Sequence, residues 1–338
     1  MVVVALMFSL LGIGVIVAIL LIKVKALCFE MSYTFKNIGA MMTELLFGDS
    51  LEQMDILIER GEKFHLIFAD IPYGTTACKW DVIIPFSYHI KQGSKALDKE
   101  DFLLEEKMHG TKYECALKKW ELNKKEGMWE KIEKLSYPNT AVLLCGQQPF
   151  SSALIMSNIK NFKYQWVYQK TSPSGGLNSK HRPMRAHEDV LLFSKKKCTY
   201  NPQKTTGHKR KTSTAHHKRN STKTDAYGEH GSVSYDSTER YPLSVQVFSS
   251  DVQKLSLHTT QKPVALGRYM VKTYMNKGEK MLDFTCGSGS FVVAAKLEGM
   301  DAVGIDDGYC LKDKMFNGLQ MKGRKWTEIT QLRLDGTI

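Results

Sequence analysis

Apolar residues along this chain fall into short runs, separated by turn residues and by stretches with helical spacing. Phe64-His65-Leu66-Ile67-Phe68 and Ala141–Cys145 have the length and character of buried strands. Thr43–Phe47 predicts a shorter strand, followed by Gly48 and a helix start that Asp49 or Ser50 is placed to cap. Lys280–Phe284 predicts a strand, Thr285-Cys286-Gly287-Ser288-Gly289 a tight turn, and Ser290–Glu298 a helix stopped by Gly299. Asp301–Ile305 then predicts another strand. Tyr164–Lys170 and His187–Ser194 read as strands. Met128–Ile132, the stretch reaching about Asn158, and Val264–Tyr274 read as helices, the last opened by Pro263 in the favoured first-turn position.

Four segments break this pattern. Ser87–Gly127 is rich in Lys and Glu with few aliphatic residues, which predicts a surface insertion, part helical. Lys195–Lys223 is basic throughout and has no acid, with Ser, Thr and His filling the gaps. Leu311–Trp326 is basic, with helical stretches interrupted by Gly318 and Gly323, and the last residues read as a loose end. Val2–Ile22 carries no charge and is long enough to cross a bilayer as a helix. Lys23 and Lys25 follow it, which would leave the rest of the chain cytoplasmic. The alternative is an upstream frame translated from a misassigned start, since Met31, Met41 and Met42 all precede the first folded element.

Charge adds a partner class. Over 338 residues, 47 Lys and Arg face 35 Asp and Glu, a net charge of +12 that favours a polyanion. The seven cysteines show no paired spacing, so a reduced compartment fits. Cys198, His208, His216 and His217 match no common zinc spacing, and the chemistry below calls for no metal.

Two stretches carry candidate chemistry. Asp70-Ile71-Pro72-Tyr73 follows the Phe64–Phe68 strand, where open α/β sheets place ligands. The Asp70 carboxylate and the Ile71 carbonyl can both accept hydrogen bonds from an amine, and Tyr73 offers a face to a flat ring. The set suits a planar heterocycle with an exocyclic NH2. In the second stretch, Asp283 and Phe284 lead into Gly287 and Gly289, glycines where backbone must approach a ligand, with Asp306 about 20 residues on to hold ribose hydroxyls. Val292 at the third glycine position departs from the dinucleotide fingerprint.

Together these stretches resemble the amino-methyltransferases of DNA, whose motifs read Asp-Pro-Pro-Tyr and Asp-Pro-Phe-x-Gly-Ser-Gly. Here Ile71 stands for the first Pro, and Phe284-Thr285 for the Pro-Phe pair. The order, catalytic motif before cofactor motif, is similar to the β branch, and the resemblance runs from about Thr43 to Tyr309. The missing Pro-Cys dipeptide sets the chain apart from cytosine-C5 enzymes. The resemblance implies a Rossmann-like α/β fold, with a mixed, mostly parallel sheet and helices on both faces. It implies S-adenosylmethionine as cofactor and double-stranded DNA as partner. By the same resemblance, Asp70, Ile71, Pro72 and Tyr73 are catalytic. Asp49, Gln261, Lys262, Asp283, Phe284, Gly287, Gly289 and Asp306 face the cofactor, and Trp80 lies near the base. The acid at position 70 leans toward adenine N6. Cytosine N4 and a catalytically inactive DNA-binding module are the alternatives, and any restriction endonuclease would be a separate chain.

The expected organisation is an apolar segment over 1–30 and a catalytic half over 41–197 with an insertion at 87–127. A basic target-recognition region over 198–256 follows, then a cofactor half over 257–310 and a tail over 311–338. Lys209, Arg210, Lys211, Lys218 and Arg219 are the expected phosphate contacts, with Tyr200, Asn201, Gln203 and Asn220 as base readers. Thr171–Arg185, glycine-rich and basic, is a second candidate loop beside the cleft.

Overall fold

The computed structural model describes residues 42–75, 78, 81–92, 95–213, 223–224, 228–229, 234–249, 257–258 and 260–338. The apolar segment 2–22, Trp80, Lys218, Arg219 and Asn220 lie outside them. Among the described residues no helix is long and apolar enough to cross a membrane.

Eight strands form one sheet: β1 (Thr43–Phe47), β2 (Phe64–Ala69), β3 (Ser136–Gly146), β4 (Phe162–Ser174), β5 (Arg185–Phe193), β6 (Val245–Phe248), β7 (Lys280–Asp283) and β8 (Asp301–Asp306). Their spatial order is β1-β8-β7-β2-β3-β5-β4-β6. Every pairing is parallel except the two made by β5, which runs against β3 and β4. The sheet is therefore mixed and mostly parallel, as expected.

Period-two alternation decides which side chain covers which face. Leu66 and Phe68 of β2, Leu143 and Cys145 of β3, and Met281 of β7 point to one side. There they meet α6 (Val264–Tyr274), α7 (Ser290–Leu297) and Leu334 of α8 (Trp326–Leu334). Phe68 stacks on Phe291 of α7, ring centroids 3.7 Å apart. Ile67 and Ala69, Val142 and Leu144, and Leu282 face the other way. They pack on α1 (Ser50–Glu59), α4 (Met128–Lys134) and α5 (Phe150–Ser157). Both faces are thus covered, the condition for a parallel sheet with near-continuous apolar strands.

The described residues of the insertion form elements of their own. It holds a small ladder, Ile90–Gln92 against Lys95–Leu97, and two helices, α2 (Lys99–Met108) and α3 (Tyr113–Asn123). Leu97, Phe102 and Trp120 make a separate small core beneath them. Its two ends meet: His89 and Lys125 exchange backbone hydrogen bonds of 2.9 and 2.7 Å.

The end of the chain corrects two expectations. Instead of a helix, the basic stretch opens as a two-residue ladder, Met315–Phe316 against Leu319–Gln320. Asn317 and Gly318 both take positive φ, 47° and 79°, at its turn, the residue pair that such a hairpin requires. Instead of a loose end, residues 326–334 form α8, and Ile329, Thr330 and Leu334 are buried.

Candidate active site

β2, β7 and β8 end side by side, so the residues just past them share one rim of the sheet, at the position where strand order reverses. Asp70 is the first residue past β2. Its Oδ1 accepts from the Tyr73 hydroxyl at 2.7 Å, and its Oδ2 from Lys262 Nζ at 2.6 Å. Lys262 also lies 3.0 Å from Glu188 Oε2, and Lys170 pairs with Oε1 of the same carboxylate. A row of alternating charge results, Asp70–Lys262–Glu188–Lys170, drawn from the β2 end, the approach to α6, β5 and β4 in turn. Its inner members are nearly closed to water, with Lys262 at 7% and Glu188 at 11% side-chain exposure. Burying unpaired charge costs several kcal/mol per ion, and the alternation leaves each charge a partner.

The pKa directions follow from that order. Burial pushes Asp70 up, and the ammonium of Lys262 pulls it back only in part. For Glu188 burial also opposes ionisation, but the two lysines outweigh it and hold the carboxyl at about 2. Burial works against the Lys262 ammonium, yet Asp70 and Glu188 keep it protonated well above the ordinary lysine range. Burial, then Asp70, pushes the Tyr73 hydroxyl well above its usual range. Its ring packs on Phe150, centroids 5.2 Å apart, with Lys262 5.6 Å from its centroid. Ile71 is buried in the core on the α1, α4 and α5 side, while Pro72 stays half-buried. Asp81 steadies the loop beyond, accepting from the amides of Gly74 at 2.8 Å and Thr75 at 2.9 Å.

Beside Asp70 stands the turn after β7. Asp306, at the end of β8, accepts from the amide of Gly287 through Oδ2 and from that of Gly308 through Oδ1, both at 2.8 Å. Burial pushes Asp306 up, and Asp283 much further. Gly287 has φ 51°, and a Cβ built there meets nothing within 4 Å. Gly289 has φ 77°, and a Cβ there would fall 2.3 Å from Thr330 Cγ2 of α8. The turn is thus open on one side and braced on the other. Thr330 Oγ1 donates to the carbonyl of Gly287 at 3.3 Å, and Arg333 to that of Ser288.

Three buried groups at this rim have polar atoms without a partner: both amide atoms of Gln261 and the hydroxyls of Thr285 and Ser290. Leaving such groups unmatched costs about 1–3 kcal/mol each. An open glycine turn, a carboxylate beneath it and orphaned donors and acceptors fit a polar ligand such as S-adenosylmethionine.

Other expected contacts sit differently. The Phe284 ring is wholly buried in the core beside α1, so only its backbone is near the rim. Asp49 caps α1, accepting from the amides of Leu51 and Glu52 at 3.0 and 3.1 Å. The Lys262 ammonium pairs with two carboxylates of the protein, Asp70 and Glu188. In the basic segment, Arg210 forks onto Asp236, and the carbonyl of Lys209 accepts from Arg240. Lys211 opens a short ladder with Tyr235–Ser237. Asn201 turns its amide inward, donating to Met275 O at 3.0 Å and closing α6. Gln203 donates to Asn201 O. The segment also leaves the sheet at the end away from Asp70, since the amide of Lys196 donates to Pro138 O at the start of β3.

Glu188, Asp81, Thr330 and Arg333 were missed as members of this site. A signal existed for Glu188: with Asp189 it puts two acids directly before the apolar run Val190–Phe193 of the same strand.

Among solved structures, the chain is similar to the crystal structure of the M1.HpyAVI–SAM complex, at 15% identity and a TM-score of 0.47, covering 87% of this chain and 100% of that one. It is similar also to PvuII DNA methyltransferase (cytosine-N4-specific), at 13% identity and a TM-score of 0.47, covering 87% and 93%. No curated protein matches it. The N6_N4_Mtase family, described as DNA methylase, matches residues 64–311, from the first residue of β2 to just past β8. With that span covering most of the chain and both halves of the rim described above, the protein belongs to the DNA methylase family.

Proposed function

We propose that this chain transfers a methyl group from S-adenosylmethionine to the exocyclic amine of a base flipped out of duplex DNA, adenine N6 in preference to cytosine N4. S-adenosylmethionine is the methyl donor of the family. The observation that carries the reading is the juxtaposition of Asp70, on the β2 rim, with the open glycine turn after β7. When bound, the cofactor supplies an electrophilic methyl group. Gly287, Asp306, Gln261, Thr285 and Ser290 are the residues that would hold it.

The base amine is a poor nucleophile because its lone pair is conjugated with the ring, so positioning supplies much of the rate. Asp70 accepts one amine hydrogen and the Ile71 carbonyl accepts another. A carboxylate has about four lone-pair sites, and only two on Asp70 are taken. The amine can therefore bind without displacing Tyr73 or Lys262. As the nitrogen gains a methyl group its proton becomes acidic. Burial raises the affinity of Asp70 for a proton above that of an exposed carboxylate, and Lys262 offsets this in part. The carboxylate favours adenine as target, since a serine at this position is the usual choice of cytosine-N4 enzymes.

The test is to incubate the chain with tritiated cofactor and genomic DNA, digest to nucleosides and separate them. Label in N6-methyladenine supports the reading, and label in N4-methylcytosine moves the target. Asp70→Ala should abolish incorporation while leaving cofactor affinity within a few-fold. Near-normal turnover in that variant would remove Asp70 from the chemistry.

A further inference from the structure

The β4–β5 hairpin projects past the rim that carries Asp70. At the rim, Gly146 of β3 pairs with Asp189, and Asp189 pairs with Val167 of β4. β4 continues to Ser174, opposite Arg185. β4 bulges between Gln169 and Ser174, so the reach is counted on β5: at about 3.3 Å per residue the paired strands extend about 13 Å beyond the end of β3, with the tip further out. Its outer part, 171–185, contains Lys180, His181, Arg182 and Arg185 and no acid. The tip is ordered by its own backbone: Gly175 takes φ 89°, residues 176–178 make a 3-10 turn, and His181 and Arg182 both donate to Asn178 O. That turn holds Leu177 wholly in solvent, at 101% relative exposure.

Two chains of contacts tie the arm to the catalytic residues. Lys170 on β4 and Glu188 on β5 continue the charge row that ends on Asp70. Arg185 donates to Gln147 Oε1, and Gln147 Nε2 donates to Thr75 Oγ1 at 3.0 Å in the loop that follows the catalytic motif. An exposed leucine alone means little. Here it caps a basic arm of fixed shape, anchored at both strands to the residues that receive the base.

We propose that this hairpin is the arm that engages duplex DNA. Lys180 and Arg182 contact phosphates, and Leu177 enters the stack at the place the target base leaves. Apolar side chains inserted between base steps unstack and kink a duplex, and extrusion of a base leaves a gap that such a side chain fills. The inference rests on the DNA methyl-transfer reading.

The experiment uses the full chain and a duplex that the wild type methylates, prepared in two forms: fully paired, and with the target base opposite an abasic site. Leu177→Ala should lose tenfold or more in kcat/KM on the paired duplex and come within about threefold of wild type on the unpaired one, where extrusion is easier. Its cofactor affinity should not change. Equal loss on both duplexes, or loss on neither, overturns the wedge. Lys180→Gln with Arg182→Gln should flatten the log–log salt dependence of DNA binding by about 1.8, at 0.9 per phosphate contact. An unchanged slope overturns the phosphate contacts. A wild-type chain that binds cofactor but methylates neither duplex removes the DNA reading itself, and this proposal with it.

Discussion

Lys262 shows how far one residue can govern the site. It stands between two buried carboxylates, so its loss leaves Asp70 without a cation and Glu188 with Lys170 alone, and no positive charge between the two. Lys262→Met should therefore reduce methyl transfer by a factor of 100 or more, and Lys262→Arg should restore part of it. In the methionine variant burial and Glu188 still raise Asp70 and only the Tyr73 hydroxyl opposes them, so its pKa rises. The acid limb of the pH–rate profile should move to higher pH, with the residual activity confined to the alkaline side. Titrating kcat/KM for the three proteins checks this. Glu188 gives a complementary test on stability. Its folded pKa of about 2 lies below the ordinary 4.5, so its ionised form stabilises the fold above about pH 4.5. That contribution is lost as pH falls through 2. The difference in unfolding free energy between wild type and Glu188→Gln, up to about 3 kcal/mol at neutral pH, should stay level in urea titrations from pH 6 down to about pH 4.5 and shrink from there to pH 3.

At the level of elements, the turn between β7 and α7 separates stability from binding. Gly287 and Gly289 both take positive φ, where an L side chain costs about 1–2 kcal/mol. Only Gly289 is also closed in space, against Thr330 of α8. Gly289→Ala should thus lower the melting temperature clearly, by a cost of about 2–4 kcal/mol once the clash is added. Gly287→Ala should cost about 1 kcal/mol in stability, yet weaken cofactor binding tenfold or more because its methyl group points into the open side. Thermal unfolding and calorimetry on the pair resolve the two effects. If both variants bound S-adenosylmethionine like wild type, the open side of this turn would not be the cofactor's seat.

The whole molecule separates the methyltransferase sheet from the insertion. Residues 90–124 carry their own small core, and the chain enters and leaves at His89 and Lys125, which are already paired. Excising 90–124 and joining the ends through two glycines should keep cofactor binding within a few-fold and the melting temperature within a few degrees. The physical ground is that a closed pair of chain ends needs no new loop closure. A collapse of cofactor binding would show that the inserted helices support the rim.

Local physics decided much of this in the sequence alone. Short continuous apolar runs showed where the central strands lie, because a strand covered on both faces buries the side chains of each. The glycines of 287–289 and the stop at Gly299 were legible because positive φ is a property of single residues. The Asn317-Gly318 hairpin was equally local and was overlooked. What the sequence could not decide is which distant charges meet. Lys262 is 192 positions from Asp70, and nothing in its neighbours says that it will bind that carboxylate instead of a ligand. The acid-free run from Lys195 was legible by composition, which does not say what its charges meet. The fold brings in Asp236 to claim Arg210 and starts that run at the far end of the sheet. The shorter basic stretch at 171–185 comes to the Asp70 rim because β5 is reversed, and the register of a reversed strand is set by the core it covers.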